Sequence, residues 1–230
     1  MTDLRSTAPL SRPTRARRML RALDARSLNF DVERRDEFTA DRGWEHDHYR
    51  QPLPSEAPGD PRPGGSWARC RELMNSYAFA DPAIVRALYD ADVALADRNM
   101  VLEGRFYGLR FLLGLRIGGV VDDTIMVGGR PVRRWGWHYR TLQGHLEMGQ
   151  MDYAVHKWTD TGDVEFRIDA VSKAAPIRNP IVRLGFLLFG RWMQRRFARR
   201  GLRRMDRMVR AGLTATDDMT GHDHRPTRGA

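Results

Sequence analysis

The sequence predicts an α+β domain: an antiparallel sheet followed by one long, arginine-loaded C-terminal helix. Two changes of pattern carry this reading. From Met100 the spacing of apolar residues changes to runs rich in strand formers and broken by glycine, the mark of strands joined by short turns. Near Asn179-Pro180 a final helix begins, whose two-sided helical period resolves over 195–213. Composition agrees, since 230 residues with 41% hydrophobic and 30% charged side chains describe one folded domain with a proper core.

Residues 1–26 are polar, Arg-rich and broken by proline, and are expected to form a disordered basic tail. The domain is expected over 27–213, with a second disordered tail over 214–230. Residues 50–66 hold five prolines and three glycines and read as a loop. Ser66 then stands as a plausible N-cap for a helix through WARCRELMNSYAF. Asp81-Pro82 opens a second short helix to about Leu88, with Asp81 as cap and proline at the first helical position. Extended runs follow at Met100–Phe106, Leu109–Val121, Pro131–Thr141 and Leu146–Trp158. Gly118-Gly119 and Gly128-Gly129 read as hairpin turns, without a helix to receive a phosphate. Asp160-Thr161-Gly162-Asp163 is a strong turn signal, after which Val164, Phe166, Ile168 and Ala170 alternate with charged residues. Short connections between successive strands favour an antiparallel meander.

The final helix has two parts. Ile181–Met193 is apolar nearly all round and is expected to be a buried core element, too short at 13 residues to span a bilayer. Over 195–213, placed at 100° per residue, Phe197, Ala198, Gly201, Leu202, Met205, Met208 and Val209 share one side. Arg195, Arg196, Arg199, Arg200, Arg203, Arg204, Arg207 and Arg210 share the other. The whole charge excess sits here: residues 178–213 hold 11 Arg and one acid, a net of +10, while the other 28 basic and 28 acidic residues cancel. That face reads as a solvated outer surface, or as a surface for anionic membrane or nucleic acid. No aromatic residues interleave with the arginines to stack bases.

Several classes are disfavoured. No apolar run of about 18 residues predicts a membrane span, and none follows Arg15, Arg17 and Arg18 to make a secretory signal. The single cysteine, Cys70, has no disulfide partner and reads as a small core residue, so a cytoplasmic location is expected. His46 and His48 align as His-x-His, but a zinc site needs a third ligand and none is evident, so no metal and no cofactor is expected.

The densest run of chemically able residues is Gly136–Gln150, GWHYRTLQGHLEMGQ. In extended chain His145 and Glu147 project from the same face. They read either as a turn-stabilising pair or as a histidine and carboxylate sharing a proton for acid–base work.

That run, together with GWEHDHY, PGDPRPGGSW, YAFADPAIVRALYD and NPIVRLGFLLFG, resembles the family called domain of unknown function nineteen-ninety in its long actinobacterial form. The resemblance covers about Gly43 to Arg204, and Arg140 stands where shorter relatives carry a glycine. The element order also resembles the helix-grip superfamily of START and pollen-allergen-like proteins, in which a curved sheet wraps a long helix. This implies a hydrophobic or amphipathic small molecule held between sheet and helix. Trp135, Trp137, Tyr139, Thr141 and Tyr153 would line the site, and His145 and Glu147 would supply its polar contact. The alternatives are a peripheral binding protein using the arginine face and an enzyme centred on His145 and Glu147.

Overall fold

The computed structural model describes residues 3–106, 109–176 and 180–221, with side chains left out at 106, 109, 180–189 and 216–221. Its strands are β1 (Leu4–Ser6), β2 (Glu45–Leu53), β3 (Val85–Asp90), β4 (Asn99–Phe106), β5 (Leu109–Val127), β6 (Arg130–Thr141), β7 (Glu147–Trp158) and β8 (Val164–Ala174). Its α-helices are α1 (Pro13–Arg21), α2 (Ser66–Asn75) and α3 (Pro180–Gly221). The strands form one curved antiparallel sheet in the order β1-β3-β4-β5-β6-β7-β8-β2. From β3 to β8 sequence neighbours are spatial neighbours, and β2 returns to pair with β8. With the long C-terminal helix packed on one face, this is the helix-grip-like α+β layout expected.

The alternation of β6, β7 and β8 decides what the two faces carry. Trp135, Trp137 and Tyr139 stand opposite Val155, Tyr153 and Met151, and Tyr153 and Val155 oppose Ile168 and Phe166. These residues face inward and form the main core with Trp67 and Met74 of α2, Tyr77, Phe79, and Phe197, Leu202, Met205 and Val209 of α3. Full burial of one such side chain stabilises by about 1.5–3 kcal/mol. On α3 the two-sidedness is as expected: Phe197, Ala198, Leu202, Met205 and Val209 are buried, while Arg195, Arg199, Arg203 and Arg207 are exposed. For the preceding stretch, the expectation of burial all round falls at 181–189 on side chains outside those described; at its end Trp192 is 46% exposed.

Four local expectations need correction. Residues 4–6 and 13–21 are ordered elements, because Ala16, Met19, Leu20 and Leu23 repeat at helical spacing beneath the arginines. Ala16 and Leu23 pack with Leu88, Val101 and Leu142 in a second core on the sheet's other face. The helix expected from Asp81 is a single turn: Asp81 Oδ1 accepts the Ala83 N–H at 2.9 Å, and from Val85 the chain is strand β3. One turn is a poor helix nucleus, and pairing of Val85–Tyr89 with β4 wins. The cap of α2 is supplied from afar, by Glu56 Oε1 accepting the Trp67 N–H at 2.8 Å, while Gly65 occupies the capping position. Gly118-Gly119 is a β-bulge inside β5 and not a turn. A Cβ on Gly118 would lie 2.4 Å from His138 Nε2, so the glycine makes room for that ring.

The proline-rich loop is locked by a buried ion pair. Lys157 Nζ donates to Glu56 Oε2 at 2.7 Å and to the Asp60 carbonyl at 2.8 Å. Gly162, at φ +82°, lets the β7–β8 turn meet the same loop, since a Cβ there would sit 2.0 Å from the Glu56 carbonyl.

Candidate ligand-binding site

Inside the main core the inner face of β6 and β7 gathers polar donors within an aromatic cluster. The Trp137 and Tyr153 rings are 4.9 Å apart, Tyr139 and Tyr153 5.9 Å, and Tyr77 and Tyr153 6.0 Å. Tyr153 Oη donates to Met151 Sδ at 3.0 Å, Tyr139 Oη to the same sulfur at 3.4 Å, and the Tyr77 and Tyr153 hydroxyls meet at 3.3 Å. The Trp137 indole N–H is buried with no hydrogen-bond partner among the described residues. Burial pushes all three phenols up, so they stay protonated and remain donors. Four donor hydrogens therefore converge where the acceptors are one another's oxygens and a thioether, which accepts weakly.

A second polar group lies at the seam between sheet and helix. Glu147, at the start of β7, receives the Gln194 side-chain amide of α3, which also donates to Ser172 Oγ at 3.2 Å. Arg191, one turn earlier on α3, is ion-paired to Asp47 and Glu45 of β2. Burial pushes the Glu147 carboxyl from its ordinary 4.5 up to about 7, with Gln194 and Arg191 opposing the shift.

His145 and Glu147 are adjacent but not joined as an acid–base pair. His145 precedes β7, so the extended geometry that would put both side chains on one face does not apply. Its Nδ1 instead accepts the Glu147 backbone N–H at 2.9 Å, and burial lowers the ring pKa to about 4. The ring is a neutral backbone cap, while the carboxyl points to Gln194. Thr141 is likewise committed to the scaffold. Its Oγ1 accepts the Gly149 N–H at 2.9 Å and bonds Asn29 Oδ1 at 2.6 Å. Trp135 is buried under the guanidinium of Arg71, 5.1 Å from the ring centre. Arg140 lies within β6, bonding Gln150 at 3.0 Å.

The arginine face divides in two. Arg200 pairs with Asp81 at 2.9 Å, Arg204 donates to the Ala78 carbonyl at 2.9 Å, and Arg210 pairs with Asp206. Arg196 covers the Trp192 ring at 5.0 Å. Arg195, Arg199, Arg203 and Arg207 make no ion pair among the described residues. His46 and His48 of β2 are taken up by the Phe38 carbonyl and by Asp169, each at 2.6 Å. Cys70 is fully buried and its thiol is pushed up by that burial, which leaves it inert.

Tyr77, Met151, Arg191 and Gln194 belong to these two groups and are not among the residues expected from sequence. Met151 was accessible, being two residues from Tyr153 on the same strand face. Tyr77 carries a weaker signal; its φ of 56° is a local conformation that only the fold shows. Arg191 and Gln194 had none, because their role depends on how α3 docks across β2 and β7.

No curated protein matches the chain. A solved structure described as "Crystal structure of Ara h 8.0201" is similar to it, with 9% identity over 74% of this chain and 99% of that chain and a TM-score of 0.37. The model of the family described as "Domain of unknown function (DUF1990)" matches residues 31–204, and the chain belongs to that family.

Proposed function

We propose that the protein binds a hydrophobic or amphipathic small molecule between the inner face of β6–β7 and α3, with an acceptor group of the ligand met by the Trp137 and tyrosine donors. The observation that carries this is the Trp137 indole N–H, buried without an acceptor among phenols whose own acceptors are each other and a thioether. A buried, unsatisfied donor costs about 1–3 kcal/mol, and a carbonyl or ether oxygen placed against Trp137 Nε1 recovers that cost. The surrounding Phe79, Tyr139, Tyr153 and Phe166 supply the mostly apolar lining such sites have. Glu147 and Gln194 lie at the seam the ligand would cross to reach them. Nothing in this reading uses His145 as a base, since its ring is engaged with the backbone.

The experiment is organic extraction of the purified chain followed by mass spectrometry, on wild type and on two variants of Gly201. A Cβ at Gly201 meets Phe79 at 3.5 Å, an ordinary contact, so Gly201→Ala is accommodated. Gly201→Phe drives a ring into the space between α3 and the sheet. A stoichiometric small molecule retained by wild type and Gly201→Ala but lost from a folded Gly201→Phe is the expected result. Extraction of nothing from wild type, with no saturable uptake of 2-decanone, rejects the reading.

A further inference from the structure

A second group of unpartnered donors lies in a groove of about 730 Å³ between α2, residues 91–98 and the β5–β6 hairpin. Its walls include Trp67, Arg71, Arg98, Val120 and Trp135. Arg98 is 7% exposed and bonds only carbonyls, Nη1 to Asn75 at 3.3 Å and Nη2 to Val93 at 3.0 Å, with its guanidinium 4.6 Å from the Tyr89 ring centre. Its Nε has no partner, and no carboxylate lies within 4.0 Å of it among the described residues. The Trp67 indole N–H, on a residue 5% exposed, is also unpartnered. A buried guanidinium without a counter-ion is costly, and an anion in reach relieves it.

The remaining features specify shape. Arg71 lies 5.7 Å from the Trp67 ring centre and 5.1 Å from that of Trp135, a layered arrangement of flat groups. Val120, 38% exposed, adds an apolar wall. The acids facing the groove do not reach the buried cation: Asp92 Oδ2 accepts the Asp3 N–H at 2.8 Å, Glu72 is on the exposed rim, and Asp122 sits 3.7 Å from Arg71. We propose that this groove binds a planar aromatic carboxylate, its anion held by Arg98 and the Trp67 indole N–H and its ring lying along Val120 and the Arg71 guanidinium that covers Trp135. This site uses none of the donors around Trp137 and stands independently of the function proposed above.

The test is calorimetric titration of the full chain with 2-naphthoate, and of its Trp137→Phe variant, which lacks the indole donor a ketone would meet, with 2-naphthoate and with 2-acetylnaphthalene, a neutral molecule of similar shape. One saturable site is expected, with the neutral compound bound at least tenfold more weakly. Trp67→Phe keeps a six-membered aromatic ring and removes the indole N–H, with a fall in melting temperature from the vacated core volume. Arg71→Gln changes an exposed side chain with the melting temperature little changed. Each is expected to weaken 2-naphthoate about tenfold. Trp137→Phe is expected to leave the affinity as it is. The proposal is overturned by absence of saturable binding, by equal affinity for the neutral compound, by indifference to both groove variants, or by loss of binding in Trp137→Phe.

Discussion

Glu147 of β7 and Gln194 of α3 meet across the seam between sheet and helix, and the carboxyl held there has its pKa pushed up to about 7. Between pH 4.5 and 7 the folded chain keeps this proton while the unfolded chain has lost it. The folding stability contributed by Glu147 is therefore fullest below about pH 4.5 and is lost as pH rises through 7. Glu147→Gln keeps an acceptor for Gln194 and removes the titration. Urea unfolding across pH is expected to show the variant gaining on wild type as pH rises from 5 to 8; parallel curves contradict this.

His145 works in the opposite direction. Its pKa is lowered to about 4 by burial, against an ordinary 6.5. The unfolded chain takes up a proton below 6.5 that the folded chain refuses, so stability falls as pH drops from 6.5 to 4. His145→Asn offers an oxygen to the Glu147 N–H without titrating in this range. The variant is expected to lose less stability than wild type between pH 6.5 and 4, by on the order of 1–3 kcal/mol, as measured by urea unfolding at the two pH values.

The Lys157–Glu56 pair is almost wholly buried, with side chains 0% and 4% exposed. Removing one partner strands a charge, so Lys157→Met is expected to cost about 3–5 kcal/mol. Glu56→Gln in the same chain removes the stranded charge and keeps an oxygen for the Trp67 N–H. The double variant is thus expected to be more stable than Lys157→Met alone, which a double-mutant cycle in urea measures directly.

On α3, neighbouring arginines are expected to differ. Arg204→Ala breaks the bond to the Ala78 carbonyl and is expected to destabilise by about 1 kcal/mol. Arg203→Ala, on the exposed face, is expected to stay within about 0.5 kcal/mol of wild type. Thermal unfolding of the two variants side by side is sufficient.

The antiparallel sheet and the amphipathic half of α3 were legible in the sequence because each is written as a local period. Val164, Phe166, Ile168 and Ala170 alternate, and Phe197, Ala198, Leu202, Met205 and Val209 recur at helical spacing, as their burial shows. The errors arose where distant partners decide. The turn at Asp81 carried correct helix-start chemistry, but β4 claimed Val85–Tyr89 as a strand. The arginines of residues 12–21 obscured an apolar stripe that needs the outer face of β3 and β4 to become meaningful. In the candidate site, Trp137, Tyr139 and Tyr153 come together because β6 and β7 are hairpin neighbours in register. His145 misled for a simple reason: side chains two residues apart share a face only where the chain is extended, and β7 begins after it.

The central claim is that the unpartnered indole N–H of Trp137 takes a ligand acceptor, and that N–H reports on it most directly. In a nitrogen-15 correlation spectrum its resonance is identified by its disappearance in Trp137→Phe. Titration with 2-decanone, whose carbonyl accepts and cannot donate, is predicted to move that resonance downfield to saturation, with affinity falling about tenfold in Tyr153→Phe. A Trp137 resonance that stays in place while the ketone is raised to its solubility limit contradicts the account.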